Sequence, residues 1–183
     1  MNAPDGSVVV VTWNGLAHLR ANLPAVLESI RRASGAWELI VADDCSTDDT
    51  VEWLGRAPVG ADLQVGPPHL RIAQPPVHGG FIAAANAGVA AARGRVVVLL
   101  NNDARPEVDF LSPLLPHFND TSAFAVSCRQ MPGGGLCAGR FHMGFLRVRW
   151  NDDGASAAPT LYADGGAAAF DVSKWRALGG LDP

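Results

Sequence analysis

The chain has 183 residues, 48% of them apolar and 17% charged, so it can bury a real core as a single domain, and wholesale disorder is excluded. A net charge of −4 without any basic run argues against a dedicated nucleic-acid binder. No run of eighteen apolar residues occurs, so no membrane-spanning helix is predicted, although a peripheral membrane contact stays open.

The first six residues carry no basic n-region, so no secretory leader is expected. Cys45, Cys128 and Cys137 form no Cys-x-x-Cys pair and read as free thiols. Cys45 lies in an acidic loop, either as a reactive thiol or as a small residue filling a turn. The expected location is cytoplasmic, with the inner face of the membrane as the alternative.

Ser7–Thr12 reads as a first strand, followed by a turn at Trp13-Asn14-Gly15. Leu16, Leu19, Leu23, Val26, Leu27 and Ile30 then recur at helical spacing, with Pro24 predicting a kink or a restart. Trp37–Ala42 is a second strand. Ser46 is the predicted cap of a short helix carrying Asp48 and Asp49 in its first turn. Residues 57–68 form a Pro/Gly loop, and Leu70–Gln74 a third strand.

Gly79-Gly80 opens an Ala-rich helix from Phe81 to Ala92, closed by Gly94. Val96–Asn101 is a fourth strand. Pro106 and Glu107 are predicted to begin a helix running to Leu115, and Ala123–Arg129 another strand. Residues 132–135 read as a flexible turn, Arg140–Trp150 as a strand or hairpin arm, and Asn151–Pro159 as a mobile loop. Leu161–Phe170 is strand-like with a break at Gly165-Gly166, and Ser173–Leu178 is a short helix. The early alternation of strand and helix predicts an α/β fold with a mostly parallel sheet.

Two acidic clusters follow apolar strands: Leu39-Ile-Val-Ala-Asp43-Asp44-Cys-Ser46-Thr-Asp48 and Val96-Val-Val-Leu-Leu100-Asn101-Asn102-Asp103. In an open α/β sheet, ligands bind beyond the carboxyl ends of the strands. Both clusters are therefore predicted on one edge, where carboxylates suit a divalent metal and a hydroxyl-rich or nucleotide ligand.

Five blocks in this order resemble the inverting glycosyltransferases of family 2, which have the GT-A fold. They are Val8–Asn14; Ile40–Asp48; Gly79-Gly80-Phe81 through Asn86 and Gly88; Leu99–Asp103; and Gly165-Gly166 through Gly179-Gly180-Leu181-Asp182. The resemblance covers essentially the whole chain and is nearest to the rhamnosyltransferase-like subset. It implies a GT-A domain over residues 1–183, with a Rossmann-like central sheet flanked by helices. Residues 1–103 would bind nucleotide, and residues 104–183 would form an acceptor side incomplete at its C-terminus.

The resemblance further implies a nucleotide-diphosphate sugar donor, UDP- or dTDP-linked, and a glycan or lipid-linked acceptor. Val11, Trp13, Asn14, Asp43, Asp44 and Asn102 would form the nucleotide site. A carboxylate accepts from a uracil or thymine N3–H or from ribose hydroxyls, and the resemblance gives the base to Asp44. Trp13 reads either as a wall for the base or as a partly buried core aromatic. Asn101-Asn102-Asp103 stands where the family has Asp-x-Asp, so Asp103 is the expected ligand of Mg2+ or Mn2+, completed by the diphosphate. Gly79 and Gly80 allow close backbone approach at a helix start, which would neighbour a phosphate or the sugar of the donor. His78 stands where the family often has Asn, either altering a donor contact or as a solvated loop residue. Asn86 is expected to tie its helix to a neighbouring loop. Asp164, Gly165 and Gly166 would face the transferred sugar and the acceptor.

The family's general base follows the Gly-Gly-Leu-Asp block by about ten residues, so the chain is expected to be a shortened form whose base lies beyond Pro183. Asp164 or Asp171 as a substitute base is the weaker alternative, and a domain that binds donor without transferring it is the runner-up function. A nucleotidyltransferase, a receiver domain and a dinucleotide-binding domain are disfavoured. The respective reasons are the absence of a basic Gly-rich loop, the position of Lys174 inside a predicted helix, and the lack of Gly-x-Gly-x-x-Gly after strand one.

Overall fold

The computed structural model describes residues 3–56, 70–130, 136–151 and 158–182. The expected Pro/Gly loop at 57–68, the turn at 132–135 and most of the loop at 151–159 lie outside them.

The elements run β1 (Gly6–Thr12), α1 (Leu16–Arg32), β2 (Trp37–Asp43), α2 (Thr50–Arg56), β3 (Leu70–Ala73), α3 (Gly80–Ala91) and β4 (Val96–Asn101). A 3-10 turn (Leu115–Asn119) and β5 (Ala125–Ser127) follow, then β6 (Leu136–His142), β7 (Phe145–Asn151), β8 (Ala167–Asp171) and α4 (Val172–Leu178). Six strands form one sheet in the order β3-β2-β1-β4-β8-β5, while β6 and β7 pair as a separate hairpin. The strands β3, β2, β1 and β4 are parallel, and β8 enters antiparallel between β4 and β5. The expected α/β architecture with a mostly parallel sheet is therefore present.

Successive strand side chains alternate between two cores. Val8, Val10, Leu39, Val41, Val98 and Leu100 pack on the face that receives Leu19, Leu23, Val26 and Leu27 of α1. Val9, Val11, Ile40, Ala42, Val97 and Leu99 pack on the opposite face, against Ala84, Ala85 and Val89 of α3 and Trp175 of α4. The second layer is thin because its helix offers small residues. A Cβ at Gly88 would collide with Val9 and sit 2.9 Å from the Cβ of Ala42, so α3 lies at backbone distance from β1 and β2.

Several sequence expectations shift. α1 continues through Pro24 as one helix and does not restart there, its apolar stripe outweighing one lost backbone bond. The helix expected at 106–115 is a series of turns followed by the 3-10 turn, because Pro113 and Pro116 lack the N–H groups an α-helix needs there. The strand expected at 161–170 begins only at Ala167. Asp164 first turns the chain by accepting from Gly166 N–H at 2.8 Å. Ser46 does not cap α2; Asp48 does, accepting from Thr50 N–H at 3.0 Å.

A buried carboxylate secures the sheet at the end where β1, β2 and β4 begin. Glu38, 2% exposed, accepts from Ser7 Oγ at 2.8 Å, from Arg93 N–H at 2.7 Å and from the Arg93 guanidinium at 2.8 and 3.0 Å. Ser7 Oγ in turn accepts from Gly94 N–H at 3.0 Å, so the turn from α3 into β4 is tied to β1 and β2. Burial pushes the Glu38 carboxyl up, but these donors outweigh it and hold it below its ordinary value. A depressed carboxylate contributes stability that is complete above its unfolded pKa and lost as pH falls through the folded one. Glu38→Gln is therefore expected to lower stability at pH 7 by about 2 kcal/mol, the worth of hydrogen bonds to a charged group. The gap to wild type should narrow below about pH 4.3, where an unperturbed glutamate protonates. Urea unfolding at both pH values checks this, and a pH-independent gap would contradict it.

Candidate functional site

Parallel register brings three strand ends level. Thr12 pairs with Asp43, and Val11 with Asn101, so the segments after β1, β2 and β4 emerge side by side. Antiparallel β8 adds a fourth: Leu100 pairs with Ala167, and Asn101 N–H donates to Gly166 O at 2.9 Å. The residues expected at one edge from the sequence are thus brought to one edge.

The segment after β1 is clipped to the segment after β2. Asn14 adopts φ 46 and donates its N–H to Ser46 Oγ at 2.7 Å. Its Oδ1 accepts from Thr47 N–H at 2.7 Å and Asp48 N–H at 3.2 Å. An asparagine tolerates this left-handed backbone better than most residues. Its side-chain oxygen is engaged in loop architecture.

The two buried aspartates hold different neighbours. Asp43, fully buried, accepts from Ser46 N–H at 2.9 Å, from Ser46 Oγ, and from Gln74 Nε2 at 2.9 Å beyond β3. Asp44, 2% exposed, accepts from Gly79 N–H at 3.0 Å and Gly80 N–H at 2.6 Å. These are backbone donors at the start of α3, where a helix leaves N–H groups unsatisfied and favours negative charge. Two donors that the sequence offered to a phosphate are thus taken by the chain's own carboxylate. Gly80 reaches this contact with φ 77, a conformation glycine adopts without penalty.

His78 completes the corner. Its Nδ1 lies 2.8 Å from Asp44 Oδ2, and its ring stacks on Trp13 with centroids 4.7 Å apart at 29°. Trp13 is 52% exposed, so it is not the core aromatic of the alternative reading. The two rings form an accessible aromatic ledge above a buried carboxylate.

At the end of β4, Asn102 is the connector. It donates its N–H to Val11 O at 3.1 Å and its Nδ2 to Thr12 Oγ1 at 2.8 Å, and its carbonyl accepts from Asn22 Nδ2 at 3.0 Å. A Cβ at Gly15 would strike this side chain, which explains a glycine at that turn. Asp103 stands exposed one residue further on. Among the described residues no three His, Cys, Asp or Glu gather as a metal cluster. A single open carboxylate fits a hard cation that draws its other oxygens from water and a diphosphate. It does not fit an all-protein cage.

On the far flank, Asp164 accepts from Gln130 Nε2 at 2.9 Å and Gly166 N–H at 2.8 Å. A Cβ at Gly165 would meet Phe81 at 3.3 Å, and one at Gly166 would meet the Asn101 side chain at 2.8 Å. Small residues are needed where these segments close on one another. Nearby, burial assisted by the Asp164 charge pushes the Cys128 thiol up to about 11, leaving it unreactive. Cys45, with φ 59, places its Sγ 3.4 Å from Pro75 O, the turn-filling role. All three cysteines are free.

Asp171 is not at this edge. It pairs with Val96, the first residue of β4, so it lies a strand length from Asn101, about 17 Å at 3.3 Å per residue. There it caps α4, accepting from Lys174 N–H at 3.0 Å. This position excludes it as a substitute base. Asn86 plays the structural part expected of it, bonding Leu181 O at 2.9 Å and Leu181 N–H at 3.0 Å.

Sequence reasoning passed over Thr12, Asn22, Gln74 and Gln130, whose side chains hold the named residues in place. Thr12 and Gln74 were within reach of it, since each sits at a strand end beside the acidic loops. Asn22 and Gln130 carry no such signal; their partners are 80 and 34 residues away.

Comparison with known proteins agrees with this architecture. The GT-A glycosyltransferase fold recurs in a mannosyltransferase, PcManGT from Pyrobaculum calidifontis, in complex with GDP-Man and Mn2+. The TM-score is 0.69 at 23% identity over 100% of this chain and 48% of that one. S. aureus TarS 1–349 with UDP-GlcNAc matches with a TM-score of 0.62 at 14% identity, covering 96% and 47%. GalNAc-T7 with UDP, GalNAc and Mn2+ matches with a TM-score of 0.68 at 17% identity, covering 100% and 38%. The sequence pattern of Glycosyl transferase family 2 spans residues 7–156, and the chain belongs to that family. An uncharacterized protein, y4gI of Sinorhizobium fredii (strain NBRC 101917 / NGR234), is 36% identical over 137 residues, 74% of this chain and 13% of that protein. The chain thus spans about half or less of the proteins it matches.

The link from Asp44 to α3 is directly testable. Asp44→Asn is expected to cost roughly 1–3 kcal/mol, because one of two buried N–H donors loses its acceptor. Amide hydrogen exchange over residues 78–84 should accelerate while β1 and β4 stay protected. Unchanged exchange there would mean that the helix start is held by something else.

Proposed function

We propose that this chain forms the donor-binding part of a glycosyltransferase, and that the protein transfers a sugar from a UDP- or dTDP-linked donor to a hydroxyl of a glycan or lipid-linked acceptor with inversion. The observation that carries the reading is the meeting at one sheet edge of an exposed aromatic ledge, two buried carboxylates, an asparagine lock and an open aspartate. Residues 1–103 serve the nucleotide, and residues 104–183 belong to the acceptor side.

In this reading the base stacks on Trp13, with Asn14 and the Val11 carbonyl shaping the wall behind it. Asp43 and Asp44 form the floor. Asp44 Oδ1 takes one backbone bond in the free chain and keeps acceptor capacity for a uracil or thymine N3–H. Asn102, held by Thr12, faces the ribose. Asp103 would hold Mg2+ or Mn2+, which offsets the negative charge of the departing diphosphate. Gly79, Gly80, Gly165 and Gly166 leave room for the sugar ring, and Asp164 accepts from one of its hydroxyls. The acceptor's proton needs a carboxylate on the acceptor side, which we assign to a residue beyond Pro183.

A second reading is a domain that binds donor without transferring it. It is favoured by Asp164, whose two carboxylate oxygens are bonded to Gln130 and Gly166, and by the remote position of Asp171.

Titration calorimetry with UDP, dTDP and GDP, with and without Mn2+, tests the donor site. UDP or dTDP should bind in a metal-dependent way, and Asp103→Ala should remove the metal dependence. Trp13→Ala should weaken nucleotide binding about 5- to 100-fold, the usual worth of one base–aromatic stack. Absence of nucleotide binding by a folded sample in Mn2+ would overturn the proposal. A glycosyl-transfer assay then separates the two readings, since only the first yields product.

A further inference from the structure

The hairpin of β6 and β7 stands apart from the central sheet. Its strands pair from Leu136 with Asn151 to His142 with Phe145 and join none of the six sheet strands. Near its base Leu161 N–H donates to Cys137 O at 2.6 Å and Cys137 N–H to Thr160 Oγ1 at 3.2 Å, and the Leu161 side chain lies over Gly139.

One face of the hairpin is cationic. Arg140 lies directly across from Arg147, and Arg149 lies across from Ala138. With His142 they line one depression. Residues 136–151 contain no Asp or Glu. Like charges placed opposite one another destabilise a two-stranded ribbon. Three arginines thus gather on one face of a hairpin in a chain of net charge −4.

The tip is apolar instead of polar. Met143 is 84% exposed and Phe145 75% exposed. Met143 and Gly144 turn with φ 50 and φ 80, a geometry that favours Asn-Gly. A methionine there serves neither the turn nor a core. Apolar side chains projecting beyond a basic collar match a lipid interface, where apolar groups enter the acyl boundary and arginines meet anionic headgroups. A soluble polyanion would use the arginines but not Met143 and Phe145.

We propose that the β6–β7 hairpin docks the protein on an anionic lipid bilayer, with Met143 and Phe145 inserted and Arg140, Arg147 and Arg149 at the headgroups. Leu161, which bonds the base of the hairpin, stands three residues before Asp164 in the chain. The docking does not require the proposed sugar transfer.

Flotation of the chain with vesicles tests it, using phosphatidylcholine alone and phosphatidylcholine with added phosphatidylglycerol, at low and high salt. Binding is expected only with phosphatidylglycerol and should weaken with salt. Arg147→Gln should reduce partition about fivefold, and Arg147→Gln with Arg149→Gln about 25-fold. Phe145→Ser should also reduce it, with the circular dichroism spectrum and nucleotide binding unchanged. Three outcomes would overturn the proposal. They are no phosphatidylglycerol-dependent binding, binding indifferent to these substitutions, and binding lost equally to soluble polyphosphate with Phe145→Ser neutral. The last would identify a soluble polyanion as the partner.

Discussion

The carboxylate of Asp44 accepts from the first backbone N–H groups of α3, and the upper edge of the domain depends on that contact. A strand end and a helix start both carry unsatisfied backbone groups, and here one buried charge serves the two together. With α3 fixed, Phe81 meets the Gly165 segment, and Asn86 is positioned to hold Leu181. His78 is brought under Trp13 by the same bond network. Removing the charge would loosen four segments that are distant in sequence.

The two ends of the sheet use buried carboxylates for different purposes. Glu38 stands where β2 begins and is satisfied by Ser7 and Arg93, with Arg71 at 3.5 Å; its role ends with tying the chain together. Asp43 and Asp44 stand where β2 ends, beside exposed rings and an open aspartate. The enclosed carboxylate therefore lies at one end of the strands, and the two that neighbour exposed groups lie at the other. This division follows from parallel strands, whose carboxyl ends all face one way.

Much of this was legible in the sequence. Strand-length apolar runs ending in Asp-Asp and Asn-Asn-Asp located both the strands and the edge, because parallel register leaves their ends no other place to go. Trp13 was ambiguous by sequence, since an aromatic after a strand suits a core as well as a surface; its stack with His78 spans 65 positions and leaves no local pattern. The antiparallel entry of β8 was also hidden. Strand direction is set by pairing with β4 and β5, and the run Ala-Ala-Ala-Phe at 167–170 carries no sign of it. The irregular path at 106–119 is legible in Pro113 and Pro116, whereas Pro106 and Glu107 read as a helix start.

The close seating of α3 on β1 and β2 has a consequence for how such a domain can change over time. Where Gly88 touches Val9 and Ala42, any added methyl group would have to push the helix off the sheet. The loops carrying Asp44 and Gly79 would move with it. The α1 face, filled by large side chains, can exchange one bulky residue for another of similar volume. Sequence drift should therefore accumulate on one side of the sheet and be held back on the other. Change at this edge would then arise from the loops and not from the helix that supports them.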